Sequence, residues 1–224
     1  MVTATVADIF PPDIHIFRNY DPPDDVLASA KQESINKNAK SFPKPSEQLV
    51  WMAARSSGAA PTYFRPCGKF VDGGLISNNP TLDALTEIVK YNAVLENIGE
   101  SDKKYKLVTV VSLGTGSMPV TQVPIIDIFR PDSIMGVAKM AFMASSLGQL
   151  LVEQATQADG QVVERAKAWC HSLNVPYFRV NPPLSENIPM DETNNTKLIN
   201  MLWETTAYMH NRKEELKKLT LLLV

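Results

Sequence analysis

The stretch Leu107-Val108-Thr109-Val110-Val111-Ser112-Leu113 is a nearly continuous apolar run of strand length, and Gly114-Thr115-Gly116 ends it. A strand that is covered on both faces has this composition, and such strands belong mainly to parallel sheets. Outward from this run, short strand-like segments alternate with stretches that have helical spacing of apolar residues. Strands that alternate with helices are typical of an α/β domain. The sequence therefore predicts an α/β fold with a mainly parallel sheet.

The other elements follow from periodicity and from turn residues. Short alternating or apolar runs predict four more strands, at residues 2–6, 14–18, 69–72 and 177–180. Helical spacing predicts helices at residues 46–57, 79–95, 133–155, 160–173 and 196–220. Residues 21–46 are polar and proline-rich without periodicity, so we expect a surface loop there.

Composition limits the classes of function. The 224 residues are 44% apolar and 21% charged, with a net charge of −2, which fits one globular domain. A general nucleic-acid-binding protein usually has a strongly basic face, so we expect no nucleic-acid partner. Cys67 and Cys170 are the two cysteines, too few for a disulfide scaffold or a four-cysteine zinc site. They suit a reducing compartment.

A carboxylate motif is the sharpest local feature. Phe70-Val71-Asp72-Gly73-Gly74 places Asp72 at the carboxyl end of a predicted strand, followed by two residues without side chains. Sites of open α/β sheets form outside such strand ends, and glycines allow a backbone or a ligand to approach closely. Asp-Gly is also a common turn-forming dipeptide, so an ordinary turn is the alternative. The local sequence leaves both interpretations open.

A run of small residues, Arg55-Ser56-Ser57-Gly58-Ala59-Ala60-Pro61, follows a predicted helix. It either permits close packing beside a reacting centre or forms a helix C-cap with a tight turn. Neither Ser56 nor Ser57 lies in Gly-x-Ser-x-Gly, the elbow that exposes a nucleophilic serine. No such motif occurs in the 224 residues.

Nucleotide and metal binding have little support. Gly114-Thr115-Gly116 follows a strand, but no third glycine and no Gly-Lys-Ser/Thr follow, so we do not expect a phosphate loop. His15, His171 and His210 show no metal-ligand spacing, and we expect them to be structural or solvent-facing. We therefore predict no metal and no cofactor.

Several segments together resemble one family. They are Ile16-Phe17-Arg18-Asn19-Tyr20, Leu49-Val50-Trp51-Met52-Ala53-Ala54-Arg55-Ser56-Ser57-Gly58-Ala59-Ala60-Pro61-Thr62-Tyr63-Phe64, Val71-Asp72-Gly73-Gly74-Leu75-Ile76-Ser77-Asn78-Asn79-Pro80-Thr81 and Val111-Ser112-Leu113-Gly114-Thr115-Gly116. These segments resemble the patatin-like phospholipases, and within them the calcium-independent phospholipase A2 of the cytosolic, ankyrin-repeat type. The resemblance continues through Ala168-Trp169-Cys170 and Tyr177-Phe178-Arg179. It implies a three-layer α/β fold.

The resemblance also implies a chemistry. The family hydrolyses the sn-2 ester of glycerophospholipids with a serine–aspartate dyad, and its aspartate lies in an Asp-Gly-Gly or Asp-Gly-Ala motif. By this resemblance Asp72 is the catalytic aspartate, and Asp72, Gly73 and Gly74 form its motif. A carboxylate that accepts the serine proton directly needs no histidine, and no metal or cofactor takes part. Backbone amides stabilise the oxyanion that forms.

The sequence departs from the family pattern, because it contains neither the serine elbow nor the glycine-rich oxyanion loop. Both lie earlier in the family's order, so we expect residues 1–224 to be the C-terminal portion of a single patatin-like domain. We expect its first strands to lack neighbours and the chain alone to be inactive. Three interpretations stay open: part of an enzyme, a truncated regulatory form that associates with the full-length enzyme, and a lipid-binding pseudoenzyme.

The resemblance suggests partners as well. A phospholipid membrane surface is the expected substrate, with a cytoplasmic, peripherally membrane-associated location and with homo-oligomerisation left open. Val175-Pro176-Tyr177-Phe178-Arg179 stands where the family has an IQ-like calmodulin element, although Pro176 disfavours a helix there. This segment is either a calmodulin site or an edge strand. Residues 133–152 are too polar for a good membrane span. They predict a buried helix or, through Met135, Met140, Phe142 and Met143, part of an acyl-chain channel.

Overall fold

The computed structural model describes residues 1–30, 44–119 and 156–223, which fall into two compact units. The first unit comprises residues 1–30, 44–106 and 156–162, and the second comprises residues 107–119 and 163–223. The first unit contains β1 (Val2–Val6), β2 (Asp13–Phe17), α1 (Pro23–Ala30), a 3-10 turn (Pro45–Glu47), α2 (Val50–Ser57), β3 (Phe70–Asp72), α3 (Gly74–Ser77), α4 (Thr81–Asn97) and a second 3-10 turn (Ser101–Lys103). The second contains β4 (Val110–Leu113), most of α5 (Gln161–Ser172), β5 (Tyr177–Val180), α6 (Asn195–Asn211) and α7 (Lys213–Leu223).

The sheet of the first unit has the order β2-β1-β3, and both pairs are antiparallel. Ala4 in the middle of β1 lies opposite His15 on one side and Asp72 on the other. The prediction of a mainly parallel sheet is wrong for this sheet. Six residues join β1 to β2, and a parallel pair needs a crossover of a dozen or more.

The parallel arrangement occurs in the second unit. β4 pairs in parallel with β5, in the register Val110↔Tyr177 to Leu113↔Val180. The helix α5 directly precedes β5, as expected when a helix forms part of the crossover between parallel strands. The α/β class is confirmed, with a small parallel pair beside an antiparallel sheet in the described part of the chain.

β1 does not lack neighbours, whereas β2 lies at the edge of the described sheet. β1 is the central strand of its sheet, because β2 and β3 flank it on both sides. Residues 3–6 of β1 are all buried, so both faces of this strand are covered. The expectation of open edges beside β1 is therefore wrong, since the chain supplies both neighbours itself.

The described core of the first unit lies on one face of this sheet. It consists of Ala4, Val6, Phe17 and Phe70, against which Met52 and Ala53 of α2 pack. The rings of Phe17 and Phe70 stand edge to face with centroids 5.1 Å apart, an arrangement that aromatic pairs favour. The aromatic side chains of Phe17 and Phe70 thus pack together beside the end of β3.

Three helix predictions need correction. Residues 23–30 form α1 within the predicted loop, where Pro23 is the first helical residue and Asp24 and Asp25 occupy the first turn. The helix α2 begins at Val50 rather than at residue 46, because Pro45–Glu47 form a 3-10 turn. The predicted helix 196–220 is two helices that break at Arg212, whose guanidinium donates to the carbonyl of Arg179 in β5 (3.0 Å).

The remaining segment predictions match the structure within a few residues, except residues 133–155, which lie outside the described residues. Each helix within residues 1–30, 44–119 and 156–223 is too short or too polar to span a bilayer.

Candidate functional site

Asp72 is the last residue of β3, and its main chain is held on both sides. Its N–H donates to the carbonyl of Ala59 (3.1 Å). Its carbonyl accepts a hydrogen bond from the hydroxyl of Thr5 (2.8 Å), a residue of β1 that is buried. These bonds come from two different segments of the chain, so the position of this residue is fixed by the fold and not by its own turn.

The carboxylate of Asp72 is oriented by the motif that follows it. Oδ1 accepts a hydrogen bond from the N–H of Gly74 at 2.6 Å. The residue is half-buried. Among the described residues, Oδ2 makes no hydrogen bond. One carboxylate oxygen is therefore anchored while the other is available to a group from outside this arrangement.

The two glycines of the motif are required by close approach. A Cβ on Gly73 would lie 2.5 Å from the carbonyl oxygen of Thr3, and a Cβ on Gly74 would lie 2.9 Å from Oδ1 of Asp72. Gly73 has a φ of −60°, which any residue can adopt. The need for glycine at this position therefore comes from the lack of space and not from the backbone conformation. β3 leads directly into α3, and the alternative of an ordinary hairpin turn at Asp72-Gly73 is wrong.

The run of small residues before Pro61 lies beside this strand end. Gly58 is the C-cap of α2 and its N–H donates to the carbonyl of Ala54, which confirms the C-cap interpretation. The next residue, Ala59, is buried and supplies the carbonyl that holds the N–H of Asp72. Ser56 is fully buried, and its Oγ has no hydrogen-bond partner among the described residues. Both interpretations of the run, as a cap and as close packing beside Asp72, agree with its position.

Two asparagines after the motif attach it to a distant segment, and sequence reasoning missed this role. Asn78 donates to the carbonyl of Thr156, and Asn79 donates to that of Ala158 at 2.8 Å. Oδ1 of Asn79 also accepts from the N–H and the hydroxyl of Thr81, at the start of α4. The Asn-Pro helix start was visible in the sequence, but the partners 78 and 79 residues away were not.

A buried ion pair connects β2 to α4. The guanidinium of Arg18 donates to both carboxylate oxygens of Glu87, and the hydroxyl of Tyr20 donates to the same carboxylate (3.2 Å). The hydrogen bonds from Arg18 hold the pKa of Glu87 below its ordinary value, against the opposing effect of burial. The opposite charges and the hydrogen bonds between them offset the cost of removing both groups from water.

His15 is a buried structural residue of the same sheet. Its ring lies edge to face with Phe17 (4.5 Å between centroids) and close to Phe70 (5.1 Å). Burial, with smaller effects from Arg18 and Lys69, lowers its pKa to about 4. No group of three or more metal-ligating side chains occurs in the described portion of the chain.

The Gly114-Thr115-Gly116 segment binds an internal side chain. The N–H of Gly116 donates to Oδ1 of Asn181 at 2.7 Å. A Cβ on Gly114 would lie 2.2 Å from that same oxygen, and one on Gly116 would lie 2.6 Å from Leu184. Side chains of the second unit thus fill the space beside both glycines.

The segment that resembles a calmodulin element is a strand. Tyr177–Val180 form β5, and the carbonyl of Pro176 accepts from the N–H of Val110 at 2.9 Å. The strand interpretation is therefore confirmed, while calmodulin binding stays a prediction.

Known proteins resemble the chain along its whole length. No family model matches it. It is 48% identical over 224 residues to the 85/88 kDa calcium-independent phospholipase A2 of Mus musculus, covering all of this chain and 28% of that protein. It is 30% identical over the same length to the intracellular phospholipase A2 of Caenorhabditis elegans, covering 19% of it. The homologues of this chain are calcium-independent phospholipases A2.

The wider group is patatin-like. The chain is 32% identical over 133 residues to patatin-like phospholipase 1 of Plasmodium falciparum, which covers 53% of this chain and 18% of that protein. The family drawn from the four sequence segments is thus confirmed. The 224 residues of this chain span about a quarter of the length of the curated mouse and rat relatives.

Proposed function

We propose that this chain is part of a calcium-independent phospholipase A2 that hydrolyses the sn-2 acyl ester of glycerophospholipids. Asp72 is the base of a serine–aspartate dyad, and the serine comes from an elbow that the 224 residues do not contain. The complete domain has the three-layer patatin-like fold, and this chain forms its C-terminal portion. It acts at the cytoplasmic surface of a membrane.

The hydrogen bonding of the two carboxylate oxygens of Asp72 supports this assignment. The N–H of Gly74 fixes Oδ1, and Oδ2 makes no hydrogen bond among the described residues. A base must present one oxygen, in a defined direction, to the hydroxyl whose proton it accepts. The bonds from Ala59 and Thr5 to the main chain keep that direction constant.

The proposed reaction proceeds by acyl transfer. The serine oxygen attacks the sn-2 carbonyl carbon while its proton passes to Asp72, and backbone amides stabilise the oxyanion. The ester C–O bond then breaks, and the proton on Asp72 passes to the oxygen of the leaving lysophospholipid. Water attacks the acyl-enzyme by the reverse proton path, which releases the fatty acid and restores the serine.

The decisive experiment supplies the missing elbow. The chain is co-expressed with the serine-bearing segment of a family member, and ester hydrolysis is measured for Asp72 and for Asp72→Asn. We expect a loss of at least ~10³-fold, because the hydroxyl then lacks its base. Asp102→Asn, at an exposed carboxylate of the second 3-10 turn, is the matched control and should keep full activity. Activity that survives Asp72→Asn would reject the role.

The chain alone provides a second test, which addresses the regulatory alternative. A serine-directed fluorophosphonate should not label the 224 residues, because no Gly-x-Ser-x-Gly elbow is present. Stoichiometric labelling that disappears on changing one serine would contradict the proposal. If the chain never restores hydrolysis but instead changes the rate of a full-length family member, it is the truncated regulatory form.

A further inference from the structure

The 224 residues leave large apolar side chains exposed at the start of α2 and beyond its end. Leu49, Val50 and Trp51 at the start of α2 and Tyr63 and Phe64 beyond its end are all exposed, Val50 by 86%, Trp51 by 64% and Phe64 by 60%. We call these five residues the α2 patch. Soluble proteins rarely gather large apolar side chains in this way unless the surface binds something.

The side chain of Arg55 links α2 to the turn that carries Tyr63 and Phe64. Nη2 of Arg55 donates to the carbonyl of Arg65 at 2.7 Å, and its guanidinium lies over the ring of Phe64 at 5.8 Å. Trp51 lies one helical turn before Arg55 and so shares its side of the helix. The opposite side of α2 carries Met52 and Ala53 into the core.

The turn itself holds its aromatic side chains outward. The N–H groups of Tyr63 and Phe64 both donate to the carbonyl of Ala60, at 3.2 and 2.8 Å. Thr62 has φ of 73°, in the left-handed region that costs energy for a residue with a branched Cβ. A strained backbone of this kind persists where the surrounding structure holds it.

Charge indicates the partner. Residues 44–69 carry Lys44, Arg55, Arg65 and Lys69 against Glu47, a net charge of +3, whereas the whole chain carries −2. Basic side chains around exposed tryptophan, tyrosine and phenylalanine match a membrane surface, where aromatic rings lie at the headgroup level and cations meet anionic lipid.

Main-chain hydrogen bonds of two adjacent residues link the patch to the candidate catalytic carboxylate. Ala59 holds the N–H of Asp72, and Ala60, its neighbour, holds the turn of Tyr63 and Phe64. We propose that the α2 patch docks the protein on a bilayer that contains anionic phospholipid, beside Asp72. This inference rests on the proposed lipid-hydrolysing function and specifies the surface that meets the substrate membrane.

The second unit provides a matched control surface. Ile199, Leu202 and Trp203 of α6 are also exposed, Trp203 by 73%. Residues 185–204, however, carry Glu186, Asp191, Glu192 and Glu204 against Lys197, a net charge of −3. Anionic lipid repels such a surface. Trp203 is at least as exposed as Trp51, and the net charge around the two tryptophans is opposite in sign.

Tryptophan quenching by brominated lipid compares the two surfaces directly. Trp51, Trp169 and Trp203 are the three tryptophans. Trp169→Phe with Trp203→Phe leaves Trp51, and Trp51→Phe with Trp169→Phe leaves Trp203. With vesicles of brominated phosphatidylcholine and phosphatidylserine, we expect quenching of Trp51 and none of Trp203. Equal or stronger quenching of Trp203 would overturn the proposal.

Co-sedimentation with vesicles gives an independent measurement that tolerates a poorly folding tryptophan variant. Arg65→Gln should weaken binding of the chain to phosphatidylcholine–phosphatidylserine vesicles about fivefold, the effect of one cation at the membrane surface. Unchanged binding of Arg65→Gln, or equal binding to phosphatidylcholine alone, would contradict the charge argument. Circular dichroism verifies the fold of every variant.

Ether-linked lipids keep this test separate from the proposed hydrolysis. Such vesicles contain no sn-2 ester, so binding is measured without turnover. If the α2 patch fails to bind while Asp72→Asn still abolishes hydrolysis, the docking surface is wrong and the proposed function stands. If binding occurs as expected while hydrolysis does not depend on Asp72, the proposed function falls and the membrane surface stands.

Discussion

β3 and β4 both end in a short glycine-containing segment, Asp72-Gly73-Gly74 in the first unit and Gly114-Thr115-Gly116 in the second. At the first end, the N–H of Gly74 turns back to the carboxylate of Asp72, and its second oxygen makes no bond among the described residues. At the second end, the N–H of Gly116 is taken by Asn181. Glycines after a strand therefore indicate that another group lies close to the backbone. Whether the strand end forms a functional site or only packs depends on which group that is.

The largest expected effect comes from Gly73→Ala, which tests how tightly the first strand end is built. A Cβ there would lie 2.5 Å from a backbone oxygen of Thr3, in the central strand of the sheet. We expect urea unfolding to show a loss of at least about 3 kcal/mol, because backbone cannot move aside as a side chain can. Gly58→Ala is the control, since its nearest atom is 3.5 Å away. It should change stability by less than about 1 kcal/mol, and equal losses in the two variants would contradict the comparison.

Acid should lower the stability of the first unit through His15. This residue of β2 lies opposite Ala4 of β1. Its pKa of about 4 in the fold is below the ordinary 6.5. The stabilisation is therefore complete above pH 6.5 and is lost as the pH falls to about 4. The shift corresponds to about 3 kcal/mol of unfolding free energy over that window.

Denaturant titrations at several pH values measure this slope. His15→Asn should remove most of it, because no imidazole then takes up a proton on unfolding. His171→Asn, at an exposed position of α5, should keep it. A slope that is identical in the chain and in His15→Asn would show that another group causes the acid sensitivity.

Gly114→Ala tests the second strand end and should cost less than Gly73→Ala. The overlap is with the side chains of Asn181 and Arg179, which can rotate. We expect a loss of about 1–2 kcal/mol, the range for modest overpacking. A loss larger than that of Gly73→Ala, measured in the same urea titrations, would reverse the order of the two strand ends.

The smallest expected effect is on the stability of Asp72→Asn. The amide oxygen of asparagine accepts the N–H of Gly74 as Oδ1 does, so the fold keeps its bond. We expect a change of less than about 1 kcal/mol in thermal or urea unfolding. A large loss would mean that the negative charge itself supports the strand end, and the activity of that variant would then no longer isolate the base.

The strands, most helices and the Asp72 motif could be predicted from the sequence, because alternating Val and Thr in residues 2–6 and the Asn79-Pro80 helix start are local signals. The direction in which the strands pair could not be predicted for every strand. The apolar run that ends at Leu113 is parallel to β5 as predicted, but Asp72 lies in an antiparallel sheet. The expected coverage of both faces of this run is also wrong among the described residues, because only Ser112 of β4 is buried and Leu113 is 74% exposed.

The partners of the site were likewise beyond sequence reasoning. Thr5 and Ala59 hold the main chain of Asp72 from 67 and 13 positions away. The run of small residues around Ala59 was visible in the sequence, but its bond to Asp72 was not. The eight-residue helix α1 was missed for a different reason. Its apolar face is short, so Pro23, Asp24 and Asp25 appeared to continue a polar loop.

Long sequence separation around Asp72 has a consequence for how the protein acquires its shape. Contacts between distant positions form slowly, because the intervening chain must first lose its freedom. The bond from Thr5 to Asp72 therefore closes only after the intervening 66 residues have been made and collapsed. The final direction of the Asp72 carboxylate therefore depends on a long-range contact that forms late in folding.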